Sequence, residues 1–498
     1  MSTFDDFIGL SKKIKNLRRY QSLAGWDERT YMPEGSVEGR SDMKATLSSL
    51  IHKKLTSERM KKYLNELNKP SVHDDLDDVQ KAQVRVMQRQ FDKNYKVPDD
   101  LIEEIAKTAS KAQNAWEEAY KKSDFQKFLP YLEKQVELYK KKAQYIDYEN
   151  EPYDAHLDTY EPGLTAKKVE QVFEPMKKKL SSFAEHIFET DIVPGEGVFE
   201  DKKFDTDSQF EISKKITKQI GFDYKEGRLD EAVHPFTIGM EDDVRITNRY
   251  NEDDLSSIFS AMHEAGHGMY EQGFPPELYS TPICNGVSMG FHESQSRMWE
   301  NFVGRSREFI DYLFPILTEH YPSLKEHSEE EYYRAINRVK PSFIRVEADE
   351  ATYNLHIALR FDIELGMFRD EIEPEETKTI WENKMDDYFG IVPEEPSKGV
   401  LQDIHWSAGQ FGYFPSYALG NLYAAQIFDQ AQDELGDVRR EFSEGDFSHL
   451  LNWLRENIHE YGRQYEPEDM IKKLTGEKLT EDYHIKYLED KYSKIYDI

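Results

Sequence analysis

The sequence is poor in several residues that mark particular classes of protein. Its 498 residues include one cysteine, Cys284, which excludes an internal disulfide and is typical of proteins in a reducing cytoplasm. Only 26 residues are glycine and 20 are proline, which excludes collagen-like and low-complexity chains and favours long helices. The composition therefore predicts a cytoplasmic protein that is mainly helical.

Basic residues are also in short supply. There are 65 lysines and arginines against 96 acidic residues, a net charge of −31, and this surplus repels nucleic acid and anionic lipid. No basic segment followed by an apolar run opens the chain. The longest uncharged stretch, 406–428, contains a proline and three glycines, so it is too interrupted to cross a membrane and instead indicates a buried segment or the lining of a cleft. We expect neither a nucleic-acid partner nor a membrane span.

The pattern along the chain predicts one continuous domain over residues 1–498. Helical periodicity runs from Asp5 to about Ile187, and it resumes after residue 250. Two short alternating runs around an acidic turn between residues 232 and 250 predict a β-hairpin. With no linker rich in serine or proline, we expect a helical N-terminal lobe or lid (1–220) joined directly to a site-bearing lobe (221–498).

The helix after the hairpin carries the strongest chemical signal. Residues 263–267 read His-Glu-Ala-Gly-His, and four residues make about one helical turn, so His263 and His267 project toward one point. Two imidazoles at this spacing are typical of a zinc site. Glu264 can take the proton of the attacking water, whose pKa a zinc ion lowers. The pattern predicts a hydrolytic metal centre.

Two further features of this helix are predicted from local residues. Asn251 is the expected N-cap, followed by acidic residues that suit a helix N-terminus. Gly266 and Gly268 are costly inside a helix, so they indicate close approach by another backbone or by a ligand.

A catalytic zinc ion needs a third protein ligand, and the next helical segment offers several. Glu293 and Glu300 lie two turns apart on one face, so spacing alone does not choose between them. His292 is a competing ligand. Alternatively, one carboxylate merely forms an ion pair with Arg297 or Arg305.

Two later segments contain candidate substrate-binding groups. Arg345 and Asp349 are four residues apart, which on a helix most simply indicates an exposed ion pair. His405 precedes the long uncharged stretch, and Tyr413 and Tyr417 lie within it. These three side chains could donate hydrogen bonds to an oxyanion, although tyrosines in apolar stretches are more often core residues.

Taken together, six ordered motifs resemble the carboxypeptidase Taq family. The likeness extends from residues 32–35 to residues 474–477, and Asn248 stands where many members carry a second threonine. The motifs are His234–Phe236, Asp243–Thr247, His263–His267, His292–Gln295, Ile344–Asp349 and Gly399–Trp406.

The resemblance implies a zinc metallocarboxypeptidase of the zincin class, with one peptidase domain. Such an enzyme removes C-terminal residues one at a time with broad specificity, slows at proline, and accepts Co²⁺ in place of Zn²⁺. Its partners are peptides with a free C-terminus and a second copy of itself in a homodimer. Its fold is mainly α, gluzincin-like, with two lobes around a deep central groove and a small sheet beside the metal-bearing helix.

The resemblance also assigns roles to individual residues. The implied metal ligands are His263, His267 and Glu293, and the implied general base is Glu264. The implied donors to the oxyanion are His405 and Tyr413, with Tyr417 as the alternative to Tyr413. The implied substrate-binding residues are Arg345 and His234.

Three other functions differ in how well the sequence supports them. A zinc oligopeptidase that cleaves short peptides internally remains the alternative, because the shape of the cleft rather than the zinc chemistry sets the cleavage position. An aminopeptidase is disfavoured because the chain has no Gly-x-Met-Glu-Asn segment for the substrate amine. A noncatalytic scaffold would have no need of Glu264.

Overall fold

The structure, a computed structural model, describes residues 2–498. Ten helices form the N-terminal part of the chain. They are α1 (Thr3–Thr30), α2 (Val37–Leu55), α3 (Glu58–Leu67), α4 (Pro70–His73), α5 (Asp78–Tyr95), α6 (Asp99–Lys122), α7 (Phe125–Ala143), α8 (Pro152–Tyr160), α9 (Ala166–Phe188) and α10 (Thr206–Ile220).

A small sheet separates these helices from the remaining ones. Its strands are β1 (Gly227–Glu231), β2 (Thr237–Ile238) and β3 (Val244–Asn248), in the order β1-β3-β2. Strands β2 and β3 are antiparallel, which confirms the predicted hairpin. Strand β1 pairs with β3 in parallel and was not predicted, because its sequence, Gly-Arg-Leu-Asp-Glu, lacks apolar alternation.

Eleven helices follow the sheet in the described chain. They are α11 (Ser256–Gln272), α12 (Met289–Arg297), α13 (Arg307–His320), α14 (Glu329–Ile336), α15 (Tyr353–Phe368), α16 (Thr377–Phe389), α17 (Pro415–Leu435), α18 (Val438–Ser443), α19 (Ser448–Asn457), α20 (Pro467–Thr475) and α21 (Asp482–Tyr496).

Helix α11 begins later than predicted, so the assignment of Asn251 as its N-cap was wrong. The helix starts at Ser256, and Leu255 occupies the cap position. The Asn251 Oδ1 atom accepts hydrogen bonds from the backbone N–H groups of Asp253 (2.7 Å) and Asp254 (3.3 Å). Asparagine forms such local turns as readily as it caps helices, and here Asn251 forms a turn between β3 and α11.

Most of the chain shares one hydrophobic core. That core includes buried residues from Ala82 in α5 to Tyr496 in α21, and therefore helices on both sides of the sheet. A smaller core lies among α1, α2, α3 and α5. No helix in residues 2–498 has the length and apolar character needed to cross a membrane. The mainly helical fold with a small sheet beside α11 is confirmed.

Candidate active site

Helices α11 and α12 bring together the two histidines and one of the two candidate glutamates. One nitrogen each of His263 and His267 and one carboxylate oxygen of Glu293 all lie within 4.8 Å of one another. The Glu293 Oε2 atom is 3.7 Å from His263 Nε2 and 3.4 Å from His267 Nε2. Two nitrogens and one oxygen converging in this way match the ligand set of a catalytic zinc ion.

Glu300 lies behind the histidines rather than among the converging atoms. It belongs to a π-helical turn, Met298–Gly304, that continues α12. Its Oε2 atom is 2.8 Å from His263 Nδ1, so it accepts a hydrogen bond from the ring nitrogen opposite the converging one. A carboxylate in this position fixes the tautomer and the orientation of a metal-binding histidine.

Arg297 contacts both carboxylates, so the ion-pair alternative considered from the sequence is also present. Its Nε atom donates to Glu293 Oε1 (2.7 Å), and a terminal nitrogen donates to Glu300 Oε2 (3.1 Å). Arg297 therefore leaves the other oxygen of Glu293 turned toward His263 and His267.

His292, the competing ligand, instead supports His267. The Nδ1 atoms of the two rings are 2.6 Å apart, and His292 Nε2 is 3.0 Å from Glu271 Oε1. Glu271 was not predicted, although it lies one helical turn after His267 in α11 and that spacing could have identified it. Together, His292 and Glu271 extend the hydrogen bonding of the site away from the converging atoms.

Two glycines allow α12 to lie close to its neighbours. A methyl group on Gly266 of α11 would lie 2.7 Å from the carbonyl oxygen of Gln295 in α12. A methyl group on Gly420 of α17 would overlap the Glu293 side chain. A methyl group on Gly268 would lie 2.6 Å from the ring of Phe222. The predicted close approach of another backbone is thus confirmed at Gly266, whereas the close neighbours of Gly268 are side chains.

The carboxylate of Glu264 is buried beside the sheet. The Thr237 hydroxyl of β2 donates a hydrogen bond to its Oε2 atom (2.6 Å) and also lies 3.0 Å from its backbone oxygen. Burial raises the pKa of Glu264 above its usual value, so that proton transfer to it is easier. Thr237 was not predicted, because its contact depends on the packing of β2 against α11.

Arg345 is buried and pairs with a different carboxylate from the one expected. It lies in a short 3₁₀ turn, Arg345–Glu347, and two of its nitrogens donate to Asp403 Oδ1 at 2.9 and 3.1 Å. The exposed pair with Asp349 was wrong, because Asp349 Oδ1 accepts from the backbone of Thr352 (3.0 Å) and so caps the approach to α15. The third guanidinium nitrogen of Arg345 donates to Tyr353 Oη at 2.8 Å, and one N–H of each terminal nitrogen is left for another acceptor.

Asp403 is shared by two arginines. Arg360 of α15, which is fully buried, donates to Asp403 Oδ2 at 2.7 Å. Burial alone would raise the pKa of Asp403, but the guanidinium groups of Arg360 and Arg345 outweigh it and hold that pKa well below its usual range. The three groups together carry one surplus positive charge, which a substrate carboxylate can neutralise.

His405, Tyr413 and Tyr417 form one cluster, as expected. His405 Nε2 lies 3.4 Å from Tyr417 Oη, and the His405 and Tyr413 ring centres are 5.5 Å apart. Burial lowers the pKa of His405 to about 4, so the ring is neutral near pH 7. Burial raises the pKa of Tyr413 to about 12 and that of Tyr417 well above its usual value, so both remain hydrogen-bond donors. The cluster leaves both tyrosines as candidate donors.

The His234 side chain is exposed in the loop between β1 and β2, three residues before Thr237. Its part in substrate binding stays a prediction.

The chain is similar to known proteins over nearly its whole length. The model of the carboxypeptidase Taq (M32) metallopeptidase family matches residues 6–492. Carboxypeptidase 1 of Bacillus subtilis is 40% identical over 494 residues, covering 99% of this chain and 98% of the relative. Thermostable carboxypeptidase 1 of Thermus thermophilus is 38% identical over 508 residues, covering 99% of each chain. The crystal structure of an M32 carboxypeptidase from Deinococcus radiodurans R1 is 33% identical with a TM-score of 0.96, covering 100% of both chains.

Proposed function

Because the chain belongs to the carboxypeptidase Taq (M32) metallopeptidase family and is thus a metallocarboxypeptidase, we propose that it removes C-terminal residues from peptides at a zinc site formed by His263, His267 and Glu293. The convergence of their three ligand atoms supports this ligand set. When bound, a zinc ion polarises the scissile carbonyl and lowers the pKa of the attacking water.

Glu264 acts as the general base in this proposal. It takes a proton from the attacking water and delivers it to the departing amine nitrogen when the peptide C–N bond breaks. The hydrogen bond from Thr237 keeps its carboxylate in one orientation beside His263. His405 and Tyr413 donate hydrogen bonds to the carbonyl oxygen as it gains negative charge.

Arg345 receives the terminal carboxylate of the substrate, which sets the direction of cleavage. The observation that carries this assignment is the buried surplus charge, since Arg345 and Arg360 share the single carboxylate of Asp403. A guanidinium group binds a carboxylate through two parallel hydrogen bonds, which a lysine cannot reproduce.

The test compares matched peptides with free and amidated C-termini, with and without a metal chelator, by mass spectrometry. Free peptides should lose single C-terminal residues, and chelation should stop the reaction. Arg345→Ala and Arg345→Lys should lower kcat/KM for free peptides by at least about tenfold, because truncating one partner of a buried charged pair costs about 2–5 kcal/mol. Amidated peptides should be poor substrates for both the wild type and the variants.

Arg369→Ala is the matched control, since Arg369 forms ion pairs with Glu151 and Glu170 outside the site. It should leave kcat/KM unchanged. Internal cleavage of amidated peptides as fast as of free ones would instead identify a zinc oligopeptidase, the alternative function. Glu264→Gln should retain zinc and lose most turnover, and full activity in that variant would contradict the role of the base.

The remaining properties are part of the same proposal. We propose broad side-chain specificity with slow release at proline, substitution of Co²⁺ for Zn²⁺, a homodimer, and a cytoplasmic location. We also propose that residues 1–220 form a lobe over the catalytic lobe, 221–498, within one peptidase domain, and the single core from Ala82 to Tyr496 supports this unity. Light scattering tests the dimer, and activity on a panel of C-terminal residues tests the specificity.

A further inference from the structure

Both proposed oxyanion donors and the carboxylate that pairs with Arg345 lie in one irregular part of the chain. Residues 401–414 form turns without a helix or strand, and they carry Asp403, His405 and Tyr413. The backbone hydrogen bonds of this segment are those of successive turns, such as Gln410 N–H to the His405 oxygen (2.9 Å) and Tyr413 N–H to the Gln410 oxygen (3.4 Å). These bonds shape each turn locally, and contacts from neighbouring elements hold the turns in place against the rest of the fold.

One such contact comes from Glu364, a fully buried residue of α15. Its Oε1 atom accepts a hydrogen bond from Trp406 Nε1 at 2.8 Å, and its Oε2 atom accepts one from the backbone N–H of Gly412 at 2.8 Å. Trp406 directly follows His405, and Gly412 directly precedes Tyr413. A single carboxylate thus binds the turn next to both proposed oxyanion donors.

The backbone at Gly412 is shaped for this bond. Its φ of +79° lies in the left-handed region, and a methyl group there would lie 2.7 Å from the backbone of His156. This conformation is costly for any residue with a Cβ atom. It presents the Gly412 N–H to Glu364 while α8 packs against the other side of the turn.

The same helix also binds the preceding part of the segment, through Arg360. Arg360 lies one turn before Glu364 and donates to Asp403, which in turn accepts from Arg345. Helix α15 therefore holds Asp403 through Arg360, and the flanks of His405 and Tyr413 through Glu364. The third donor to Glu364, Tyr153 Oη at 2.6 Å, comes from α8 and lies outside the segment.

We propose that Glu364 is a positioning residue, whose carboxylate fixes His405 and Tyr413 where they can donate hydrogen bonds to the reacting carbonyl. This inference depends on the proposed function, which assigns those two residues to the oxyanion. Glutamine has the same shape but turns an NH₂ group toward one of the donors, so at least one of the three hydrogen bonds is lost.

The first test measures kcat, KM and zinc content of Glu364→Gln. Loss of a hydrogen bond at this fully buried side chain, which binds the turn next to both donors, should lower kcat by at least about tenfold, while KM and zinc content change by less than about twofold. Asp154→Asn is the matched control, because the buried Asp154 side chain also accepts from backbone N–H groups, at Ala166 (2.7 Å) and Asn150 (2.9 Å). That variant should retain the kcat of the wild type. A Glu364→Gln enzyme with the kcat of Asp154→Asn would overturn the proposal.

A second pair of variants separates positioning from loss of stability and is available even if Glu364→Gln does not fold. Trp406→Phe removes the Glu364 hydrogen bond that comes from the catalytic segment, and Tyr153→Phe removes the one that comes from α8. We expect both to lower the melting temperature, but only Trp406→Phe to lower kcat by about threefold or more. An equal reduction of kcat in both, or none in either, contradicts a positioning role.

A double-mutant cycle identifies the residues through which Glu364 acts. In a background of His405→Ala with Tyr413→Phe, adding Glu364→Gln should lower kcat by less than about twofold, because the groups that it positions are gone. A reduction as large as in the wild type would overturn the inference. If His405→Ala and Tyr413→Phe by themselves leave kcat unchanged, the proposed oxyanion role of these two residues is wrong. The experiment therefore distinguishes failure of the proposed function from failure of the positioning role of Glu364.

Discussion

The Nδ1 atoms of His267 and His292 lie 2.6 Å apart, so one ring donates a hydrogen bond to the other. His292 is in turn 3.0 Å from the Glu271 carboxylate. This arrangement gives His292 a supporting position behind the proposed ligand rather than a place at the metal. It also ties α11 to α12 at the level of His267 and Glu293.

His292→Ala should weaken zinc binding without abolishing it. Removing a group that orients a metal-binding histidine lowers metal affinity by about 10–100-fold. Competition with a coloured chelator measures this change. His449→Ala, which removes an exposed histidine paired with Glu441, is the control and should retain the wild-type affinity. Complete loss of zinc from His292→Ala would make His292 a ligand.

The two glutamates of the α12 region should differ in their effect on zinc. Glu293→Gln should lose nearly all bound zinc, because it removes the charged oxygen that faces both histidines. Glu300→Gln should retain zinc in a well-loaded sample, since only the hydrogen bond to His263 changes. Elemental analysis of both variants distinguishes the two positions. The reverse outcome would transfer the ligand to Glu300.

The two tyrosines near His405 should also be separable. Removal of one oxyanion donor typically costs about 2.7–4 kcal/mol of transition-state stabilisation, so Tyr413→Phe should lower kcat by about a hundredfold or more with little change in KM. Tyr417→Phe should have a smaller effect, because its hydroxyl group lies 3.4 Å from His405 and acts by supporting that ring. Steady-state kinetics on one peptide with a free C-terminus measures kcat and KM of both variants. A large loss of kcat in Tyr417→Phe and a small one in Tyr413→Phe would make Tyr417 the oxyanion donor.

Glu161 should make stability depend on pH. Its buried carboxyl group binds the backbone of Gly290 at the start of α12, and burial raises its pKa to about 7. At pH values between the ordinary glutamate pKa and this raised pKa, Glu161 is protonated in the folded state and ionised in the unfolded state. The contribution of Glu161 to the free energy of unfolding therefore falls as pH rises from about 4.5 to 7.

Glu161→Gln removes that titration. The stability of the variant relative to the wild type should therefore increase by about 1–3 kcal/mol between about pH 5 and pH 8. Urea unfolding of both proteins at the two pH values measures the difference. Parallel dependence on pH in the two proteins would show that Glu161 ionises as it does in the unfolded chain.

The parts of the site that were predictable depend on local spacing. His263, Glu264 and His267 share one turn of α11, and the hairpin before them is set by alternation over a few residues. Helical spacing alone did not separate Glu293 from Glu300, and the family resemblance favoured Glu293. Both lie on one helical face until the π-helical turn at Met298–Gly304 changes the path of the chain.

The supporting groups were missed for a related reason. Thr237 reaches Glu264 across 27 positions, and Asp403 reaches Arg345 across 58. No periodic pattern connects residues so far apart. The apparent pairing of Arg345 with Asp349 failed because the expected helix is absent there, and a short turn directs the arginine toward Asp403 instead.

The sharing of Asp403 by Arg345 and Arg360 has a consequence for the end of the reaction cycle. In the proposed function, Arg345 binds the terminal carboxylate of the substrate. Each released amino acid keeps that same carboxylate. Its departure leaves one surplus positive charge on the buried group formed by Arg345, Arg360 and Asp403, which is unfavourable. Free amino acids should therefore act as competitive inhibitors, and release of the product rather than peptide cleavage should limit turnover of the best substrates.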